Sequence, residues 1–225
     1  MLKVGLTGGM AAGKSVVGEM LAALGAHVIQ ADEISHQLMQ PGGSVYREVV
    51  GQFGSRILNP DGSVNRARLA ESAFGTSEQS AQGEPARVQE LNQIVHPAVI
   101  RWQKEWMAQV GERDPHAVAV VEAALILEAG MAQSLDRLVV VTCRPEQRIK
   151  RLARRLKVDE ETARREVRRR MAAQLPDEEK LKAADYTIDN SGSLDETRRQ
   201  VKAVYDTLKR EAESGQGKGD EAAKP

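Results

Sequence analysis

The chain has 225 residues with 32 basic and 32 acidic side chains, so its formal net charge is zero. This length predicts one domain of ordinary size, and 41% hydrophobic residues is typical of a globular protein rather than a disordered one. Zero net charge excludes bulk electrostatic attraction to a nucleic acid or a membrane surface. The single cysteine, Cys143, excludes an internal disulfide framework and a multi-cysteine zinc site. No apolar stretch approaches the roughly 18 residues of a membrane span, and we expect a cytoplasmic protein.

The first half of the chain combines two predicted strands with a series of helices. Leu2–Thr7 is apolar apart from one lysine and leads into glycines, which predicts a buried strand entering a turn. Lys14–Leu24 has a helical apolar period, Gly25 follows as a C-cap, and Ala26–Ala31 is a second short strand. The polar stretch Gly75–Pro85 is predicted to be a mobile loop. Further helices are predicted at Glu33–Met39, Val45–Gln52, Arg66–Phe74, Arg87–Val95 and Ala98–Val110, with His96-Pro97 between the last two.

The second half of the chain returns to strands. Ala117–Val121 and Arg137–Cys143 are rich in valine, as fully buried parallel strands are. Two strongly charged helices, Pro145–Leu156 and Glu160–Ala173, follow them. Tyr186–Ile188 is a last short strand before a helix that opens with a capping box. Because strands alternate with helices, the sequence predicts an α/β fold with a mainly parallel central sheet.

Residues Gly8–Ser15 match the phosphate-binding pattern G-x-x-x-x-G-K-[ST]. Its glycines let successive backbone N–H groups turn toward an anion, and the helix that follows directs its positive N-terminal end to the same point. Lys14 would reach the β- and γ-phosphates, and the Ser15 hydroxyl would ligate Mg²⁺. A strand precedes the motif and a helix follows it, which is the required context, so the sequence predicts a nucleoside triphosphate site.

Two carboxylates follow predicted strands. Asp32 ends the second strand, where it could accept the proton of a hydroxyl that attacks the γ-phosphate. It could equally N-cap the helix predicted to start at Glu33. Glu122 follows the strand at Ala117–Val121 and could hold a Mg²⁺-bound water, or it could be a solvated carboxylate in a turn.

Residues 144–170 carry a local net charge of +7. Arg148, Arg151 and Arg155 share one helical face, and arginine is suited to bidentate contacts with phosphate. A pair of arginine-rich helices that closes over a triphosphate is typical of small-molecule kinases. Because most charge runs on helices are solvated faces, we expect only two or three of these side chains to contact phosphate.

The predicted organisation is a single kinase domain over residues 1–212. It consists of a core (1–32, 112–143 and 184–212), a helical insertion over one end of the sheet (33–111) and a helical lid (about 144–176). Residues 213–225 are rich in glycine and charged side chains and are predicted to form a disordered tail.

From Val4 to about Val201 the chain resembles the dephospho-coenzyme A (dephospho-CoA) kinases, the enzymes of the last step of coenzyme A synthesis. The order and spacing of the similar segments carry this resemblance, because each segment alone is weak. They are Gly5–Gly9, Gly13–Ser15, Ala31–Ile34, Phe53-Gly54, Asp61-Gly62, Arg66, Leu69, Phe74, His96-Pro97, Gln147, Arg151-Leu152, Arg155, Arg170–Gln174 and Ala184–Asn190.

The resemblance implies a three-layer P-loop kinase that phosphorylates the ribose 3′-hydroxyl of dephospho-CoA with ATP and Mg²⁺. Asp32 is similar to the catalytic carboxylate that faces this hydroxyl, and Arg151 and Arg155 are similar to lid arginines that would act with Lys14. The insertion resembles a CoA-binding subdomain, in which His96 is a candidate substrate contact, although histidine more often serves packing or a turn. The candidate metal ligands remain Ser15 and Glu122. ATP contacts are implied for Gly8, Gly9, Ala11, Ala12, Gly13, Lys14, Ser15, Val16 and Asn190, the last in a segment similar to one near adenine.

Two positions depart from the family pattern. The family usually has glycine where this chain has Ala11, so the backbone there must avoid a positive φ or be strained. The family stretch Pro-Leu-Leu-Phe-Glu corresponds here to Ala124–Glu128, and the lost proline leaves the path of that loop less defined. Neither departure touches Lys14, Ser15 or Asp32, so neither argues for an inactive relative.

Two other functions are possible for a protein with this phosphate-binding loop. A P-loop kinase of another small nucleotide or hydroxylated acceptor would share the loop and the lid, and only the His96-Pro97 and Asp189-Asn190 segments favour CoA. A nucleic-acid-associated NTPase is disfavoured because 3% aromatic residues are too few for a base-stacking surface. We therefore expect dephospho-CoA and ATP as small-molecule substrates, no nucleic-acid or membrane partner, and a monomer or weak homo-oligomer.

Overall fold

The computed structural model describes residues 1–74, 87–172 and 174–215. The predicted mobile loop Gly75–Pro85 lies outside these ranges, as do residues 216–225 of the predicted tail. The strands are β1 (Leu2–Gly8), β2 (His27–Gln30), β3 (Val118–Glu122), β4 (Arg137–Thr142) and β5 (Tyr186–Asp189). The α-helices are α1 (Lys14–Ala23), α2 (Ala31–Leu38), α3 (Ser44–Phe53), α4 (Arg66–Phe74), α5 (Val88–Arg113), α6 (Pro145–Leu156), α7 (Glu160–Ala172), α8 (Asp177–Lys182) and α9 (Leu194–Ser214).

These strands form one parallel sheet in the order β2-β3-β1-β4-β5, which confirms the predicted α/β class. Leu6 of β1 and Gln30 of β2 both lie opposite Glu122 of β3. At the end of β1, Gly8 lies opposite Val141 of β4. The parallel registers therefore bring the carboxyl ends of the strands to one edge, where α/β proteins form their ligand sites.

Apolar side chains cover both faces of the central strand β1. Val4 is fully buried in a cluster with Val17 of α1 and Leu208 of α9, so these two helices cover one face. On the other face, a Cβ placed on Gly5 would lie 2.7 Å from a methyl carbon of Leu135, so the segment after β3 packs closely there. The neighbouring strand β3 is buried at every position, as expected of a strand covered on both faces.

The chain divides into two compact units. The first comprises residues 1–30 and the chain from residue 106 onward, and it carries the whole sheet with α1 and α6 to α9. The second, Ala31–Glu105, contains α2, α3, α4 and most of α5, and its buried apolar residues include Val49, Phe53 and Ile57. Across the described parts of both units, no helix is long and apolar enough to cross a membrane.

One predicted break in the helices is wrong. Instead of two helices separated at His96-Pro97, the single helix α5 runs through both residues. Proline has no N–H to donate to the carbonyl of Gln93, but its fixed φ is compatible with a helix, so the helix loses one hydrogen bond without having to end. Val95 and Val99 on either side are buried, and this packing helps to offset the lost bond.

Near the end of the chain, one prediction is confirmed and the structure differs from the prediction at two other points. The predicted capping box opens α9, because Glu196 N–H donates to Ser193 Oγ and Ser193 N–H donates to Glu196 Oε2. The same helix continues to Ser214 and ends at Gly215, with φ of 70°, so the predicted tail begins later than residue 213. The six-residue helix α8 was not predicted, because it is too short to show a helical period.

Candidate active site

Glycines at both ends shape the loop between β1 and α1. Gly8 has φ of 152°, and a Cβ there would lie 2.2 Å from the carbonyl oxygen of Val141. Gly13 has φ of 101°, and a Cβ there would lie 2.0 Å from Nδ2 of Asn190. Both distances are far below any real Cβ contact, so only glycine fits without moving β4 or Asn190. The loop delivers the chain to the N-terminus of α1, where the helix dipole and the first N–H groups favour an anion.

The two polar residues that follow Gly13 point to different partners. Lys14 Nζ donates hydrogen bonds to the carbonyl oxygens of Gly8, at 3.1 Å, and Gly9, at 3.4 Å. Ser15 Oγ donates to Glu122 Oε1 at 2.8 Å. The fold thus brings together Ser15 and Glu122, which lie 107 positions apart in the chain, at the carboxyl edge of the sheet.

Ser15 and Glu122 offer oxygen donors of the kind that Mg²⁺ prefers. Within the ranges that the structure covers, no cluster of three or more histidine, cysteine, aspartate or glutamate side chains could hold a metal ion unaided. Magnesium sites in phosphoryl-transfer enzymes use one or two protein oxygens and complete the shell with water and phosphate oxygens. A hydroxyl beside a buried carboxylate therefore fits a Mg²⁺ that arrives with a nucleotide.

Ala11 adopts the conformation that favours glycine. Its φ is 54°, which is a left-handed conformation. The backbone therefore adopts this conformation although alanine stands where the family usually has glycine. For a residue with a Cβ this conformation costs about 1–2 kcal/mol. The strain is tolerated because the neighbouring chain is fixed, since the Ala12 carbonyl accepts hydrogen bonds from Arg151 Nη1 and Asn190 Nδ2.

Replacing Ala11 with glycine is expected to raise the free energy of unfolding by about 1 kcal/mol, because it removes this strain. The measurement is equilibrium unfolding in urea. Ala12→Gly is the matched control: Ala12 is fully buried and has no positive φ, so the same change there should lower stability. Equal destabilisation by both substitutions would contradict the strain at Ala11.

Arg151 of α6 and Asn190, the residue that follows β5, brace the loop. Arg151 Nη1 donates to the Ala12 carbonyl at 3.0 Å, and its Nη2 donates to the Asn190 carbonyl at 2.8 Å. The Asn190 side chain is buried, donates to the Ala12 carbonyl at 2.9 Å and accepts from Thr197 Oγ1 at 2.9 Å. Arg155, one turn further along α6, is exposed and has no hydrogen bond or ion pair within the described ranges.

Asp32 and His96 both belong to the second unit. Asp32 is exposed and is the second residue of α2, so it lies just beyond β2 and not at its end. The N-cap alternative for Asp32 is wrong, because α2 already begins at Ala31 and the carboxylate accepts no hydrogen bond from any residue that the structure describes. His96 is half-buried inside α5, and burial lowers the pKa of its imidazole, so this side chain is neutral at pH 7.

A family model described as dephospho-CoA kinase matches residues 2–196 of the chain. A dephospho-CoA kinase of Corynebacterium efficiens is 40% identical over 201 residues, which cover 89% of this chain and 94% of that protein. The chain belongs to the dephospho-CoA kinase family. This membership confirms the resemblance on which the sequence analysis relied, and it makes ATP the expected phosphoryl donor.

Two solved structures share the fold of this chain. A crystal structure from Thermus thermophilus superposes with a TM-score of 0.71 at 28% identity, covering 92% of this chain and 97% of that one. A dephospho-CoA kinase from Campylobacter jejuni has a TM-score of 0.57 at 24% identity, with 91% and 96% coverage, and so shares the fold. The predicted P-loop kinase architecture is therefore confirmed.

The loop that lacks the dephospho-CoA kinase proline is held instead by a buried lysine. Lys180 of α8 is fully buried, and its Nζ lies 3.4 Å from the Ala124 carbonyl, 3.2 Å from Gln174 Oε1 and 3.3 Å from Glu128 Oε1. Thr7 Oγ1 of β1 also donates to the Ala124 carbonyl, at 3.3 Å. These contacts fix the path of the loop without the proline, and they join it to the segment that follows α7.

Replacing Lys180 with methionine is expected to lower the free energy of unfolding by about 3 kcal/mol, because it leaves buried acceptors without their donor. Urea unfolding of the full chain measures this loss. Lys182→Met is the control, since Lys182 lies on the same helix with 72% of its side chain exposed and should change stability by less than about 0.5 kcal/mol. If Lys180→Met were as stable as the unmodified protein, apolar packing and not the polar contacts would hold this loop.

Two buried basic residues near this site were not predicted from the sequence. Arg148 is buried against the phosphate loop and paired with Asp177, but the sequence showed only that it shares a face with Arg151. The role of Lys180 was also missed, because a lysine in a charged segment gives no sign of burial. In both cases the partner is distant in the chain, so only the i, i+3 spacing of Arg148 and Arg151 was available as a signal.

Proposed function

We propose that this chain transfers the γ-phosphoryl group of ATP to the ribose 3′-hydroxyl of dephospho-CoA, giving coenzyme A and ADP. The observation that carries this proposal is the assembled phosphate loop, with Ser15 hydrogen-bonded to Glu122, in a chain of the dephospho-CoA kinase family. This reaction is the last step of coenzyme A biosynthesis.

The triphosphate would bind at the loop from Gly8 to Val16. Its backbone N–H groups and the N-terminus of α1 supply partial positive charge, and Lys14 supplies a full one. The Lys14 ammonium lies against the carbonyls of Gly8 and Gly9, and these contacts hold it in position over the loop. Such preorganised charge stabilises the transferring phosphoryl group, because no large rearrangement is needed during the reaction.

The proposed general base is Asp32. It would accept the proton of the ribose 3′-hydroxyl and orient this oxygen toward the γ-phosphorus. Three observations support this role: the carboxylate is exposed, it accepts no hydrogen bond within the described chain, and it lies two residues after Gln30, the last residue of β2. A carboxylate that no neighbouring donor engages is free to accept a proton from a bound hydroxyl.

Ser15 and Glu122 would hold Mg²⁺, Ser15 through its hydroxyl and Glu122 through a bound water. When bound, this ion would neutralise charge on the phosphate oxygens. While the Ser15 hydroxyl donates its proton to Glu122, its oxygen keeps lone pairs that would ligate the ion. We propose that Glu122 favours this arrangement, because a buried carboxylate next to the hydroxyl attracts a cation.

We propose that Arg151 and Arg155 act in different ways on α6. Arg151 donates to backbone carbonyls of the loop and of Asn190, so it shapes the site by holding the backbone. Arg155 is exposed and unpaired within the described residues, so its guanidinium is available for phosphate when the lid (about 144–176) closes.

The adenine is proposed to bind beside Asn190. The buried side chain of Asn190 is engaged with Ala12 and Thr197, so it would contribute through the position of the neighbouring backbone. An open cavity of about 440 Å³ next to it is lined in part by Arg144 and Ser191. A cavity of this size falls in the range of ligand sites, roughly 300–1,000 Å³.

The helical unit Ala31–Glu105 is proposed to bind the acceptor, with His96 as a contact. Burial lowers the pKa of His96, so its neutral imidazole would hydrogen-bond to dephospho-CoA without adding a charge. We propose that the protein acts as a monomer or a weak homo-oligomer. We propose that the enzyme works in the cytoplasm, as a biosynthetic kinase.

A panel of acceptors tests the proposed specificity. ADP release is followed with MgATP and, in turn, dephospho-CoA, adenosine, AMP, shikimate and gluconate. We expect kcat/KM for dephospho-CoA to exceed that for every other acceptor by at least about 10³, because a site built to hydrogen-bond one substrate rejects analogues that leave its polar groups unpaired. If any other acceptor had a higher kcat/KM than dephospho-CoA, that compound would be the substrate and the proposed specificity would be wrong.

A further inference from the structure

The tip of the phosphate loop is enclosed by elements that do not belong to the loop motif. Met10 is 7% exposed and packs in a small core with Ile149 and Leu152 of α6 and Ala163 and Val167 of α7. An apolar side chain in the middle of a phosphate loop therefore serves as part of the core of the α6–α7 helix pair. Because this core is close-packed, a change in the position of these helices moves the loop.

An ion pair between Arg148 and Asp177 lies against Gly9, the residue that precedes Met10 in the loop. A Cβ placed on Gly9 would lie 2.2 Å from Arg148 Nη1 and 2.8 Å from Asp177 Oδ1, so both side chains rest against the Gly9 backbone. The Arg148 guanidinium pairs through Nη2 with Asp177 Oδ2 and is almost completely buried. We call Arg148 and Asp177 the clamp, since they join α6 to α8 across Gly9.

The surroundings of Arg148 indicate that the clamp positions the loop. Arg148 Nη1 contacts Met171 Sδ at 3.5 Å, and its Nε is buried with no hydrogen-bond partner in the described chain. A buried guanidinium with an unfilled donor is costly, so Asp177 is needed to hold it in place. The Asp177 side chain is 30% exposed and thus reaches the pair from the surface.

We propose that the clamp and Met10 position the phosphate loop, and that ATP affinity therefore depends on the packing of α6, α7 and α8 against Gly9 and Met10. This inference rests on the proposed ATP-dependent function, and it adds to that function a mechanical link between the lid helices and the phosphate loop. Arg148 acts here through the backbone of Gly9, so it is a positioning residue and not a catalytic one.

The test measures the Kd for MgATP, without acceptor, at a temperature at which every variant is folded. Arg148→Gln is expected to raise this Kd at least about tenfold, because misplacing a preorganised loop weakens all its phosphate contacts together. Arg148→Lys keeps a positive charge for Asp177 and should give an intermediate Kd. Met10→Ala, which reaches the loop from the apolar side, should also raise the Kd.

A double mutant separates the clamp from general stability. Asp177→Asn should raise the Kd as Arg148→Gln does, and the double variant should be no worse than either single one, because the two side chains act as one unit. The double variant also removes both charges, so it remains testable if the buried arginine or aspartate alone prevents folding. Additive effects of the two substitutions would overturn the clamp.

Two controls complete the design. Leu208→Ala removes a buried side chain of α9 and destabilises the protein elsewhere, so its Kd for MgATP should stay within about twofold of the unmodified value. Arg154→Gln changes an exposed arginine on α6 and should also leave the Kd unchanged. If Arg148→Gln lowers stability as Leu208→Ala does but keeps the original Kd, the clamp is only structural and the inference fails.

Steady-state kinetics distinguish this inference from the proposed function. The clamp variants should raise the KM for ATP and leave the KM for dephospho-CoA unchanged, with kcat at saturation reduced less than about threefold. If the unmodified chain binds MgATP but does not phosphorylate dephospho-CoA, the proposed function fails while the Kd comparison still decides the role of the clamp.

Discussion

Asp32→Asn is expected to lower kcat by a factor of about 10²–10⁴ and to leave the Kd for MgATP within about twofold, because the variant loses a general base but keeps the phosphate loop. Asparagine has nearly the same shape as aspartate and cannot accept the proton of the 3′-hydroxyl. The measurements are steady-state turnover with dephospho-CoA and a titration of MgATP without acceptor.

Glu33→Gln provides the matched control for Asp32. Glu33 is the next residue of α2 and is also an exposed carboxylate in the first turn of that helix. Glu33→Gln should leave kcat within about twofold, because most substitutions of exposed side chains have small effects. If Asp32→Asn kept near-wild-type turnover, or if Glu33→Gln were the damaging substitution, Asp32 would not be the base.

Lys14→Met is expected to lower kcat by about 10²–10³ and also to raise the Kd for MgATP, because the lysine contacts the phosphates in both the ground state and the transition state. The second effect distinguishes this substitution from Asp32→Asn. Methionine has a similar length but supplies neither the charge nor the hydrogen bonds that Lys14 Nζ donates to Gly8 and Gly9. Turnover and nucleotide titration are measured as for Asp32.

Lys150→Met is the control for Lys14. Lys150 is an exposed lysine of α6, and its substitution removes one positive charge without touching the loop. Its kcat and Kd for MgATP should stay within about twofold, because an exposed charge is screened by solvent and salt. Unchanged ATP affinity and turnover in Lys14→Met would refute the proposed role of the loop lysine.

The parts of the fold that depend on local sequence were predictable. The valine-rich strands and the helix after Gly13 have short-range signals in composition and period, and they lie close to where they were expected. The bounds of the helix Pro145–Leu156 match the prediction at both ends, because a proline favours the first turn and charged residues mark the helical period. Ser193 and Glu196 form the capping box that their spacing indicates.

The parts that depend on tertiary contacts were not predictable. Pro97 would break an isolated helix, but buried neighbours on both sides keep α5 continuous. The contacts of Ser15 with Glu122 and of Lys180 with Glu128 join residues far apart in the chain, so no spacing rule reveals their distances. The backbone conformation of Ala11 was not predictable either. The sequence allowed a relaxed or a strained backbone at this residue, and the fold gives the strained one, with a positive φ.

Identification of the reaction product tests the proposed function most directly. The chain is incubated with MgATP and dephospho-CoA, and the products are analysed by mass spectrometry and by phosphorus NMR, which locates the new phosphate on the ribose. The proposed function predicts coenzyme A with its phosphate on the 3′-oxygen and an equal amount of ADP. Folded protein that binds MgATP but yields no phosphorylated dephospho-CoA, or a product with the phosphate at another position, would contradict it.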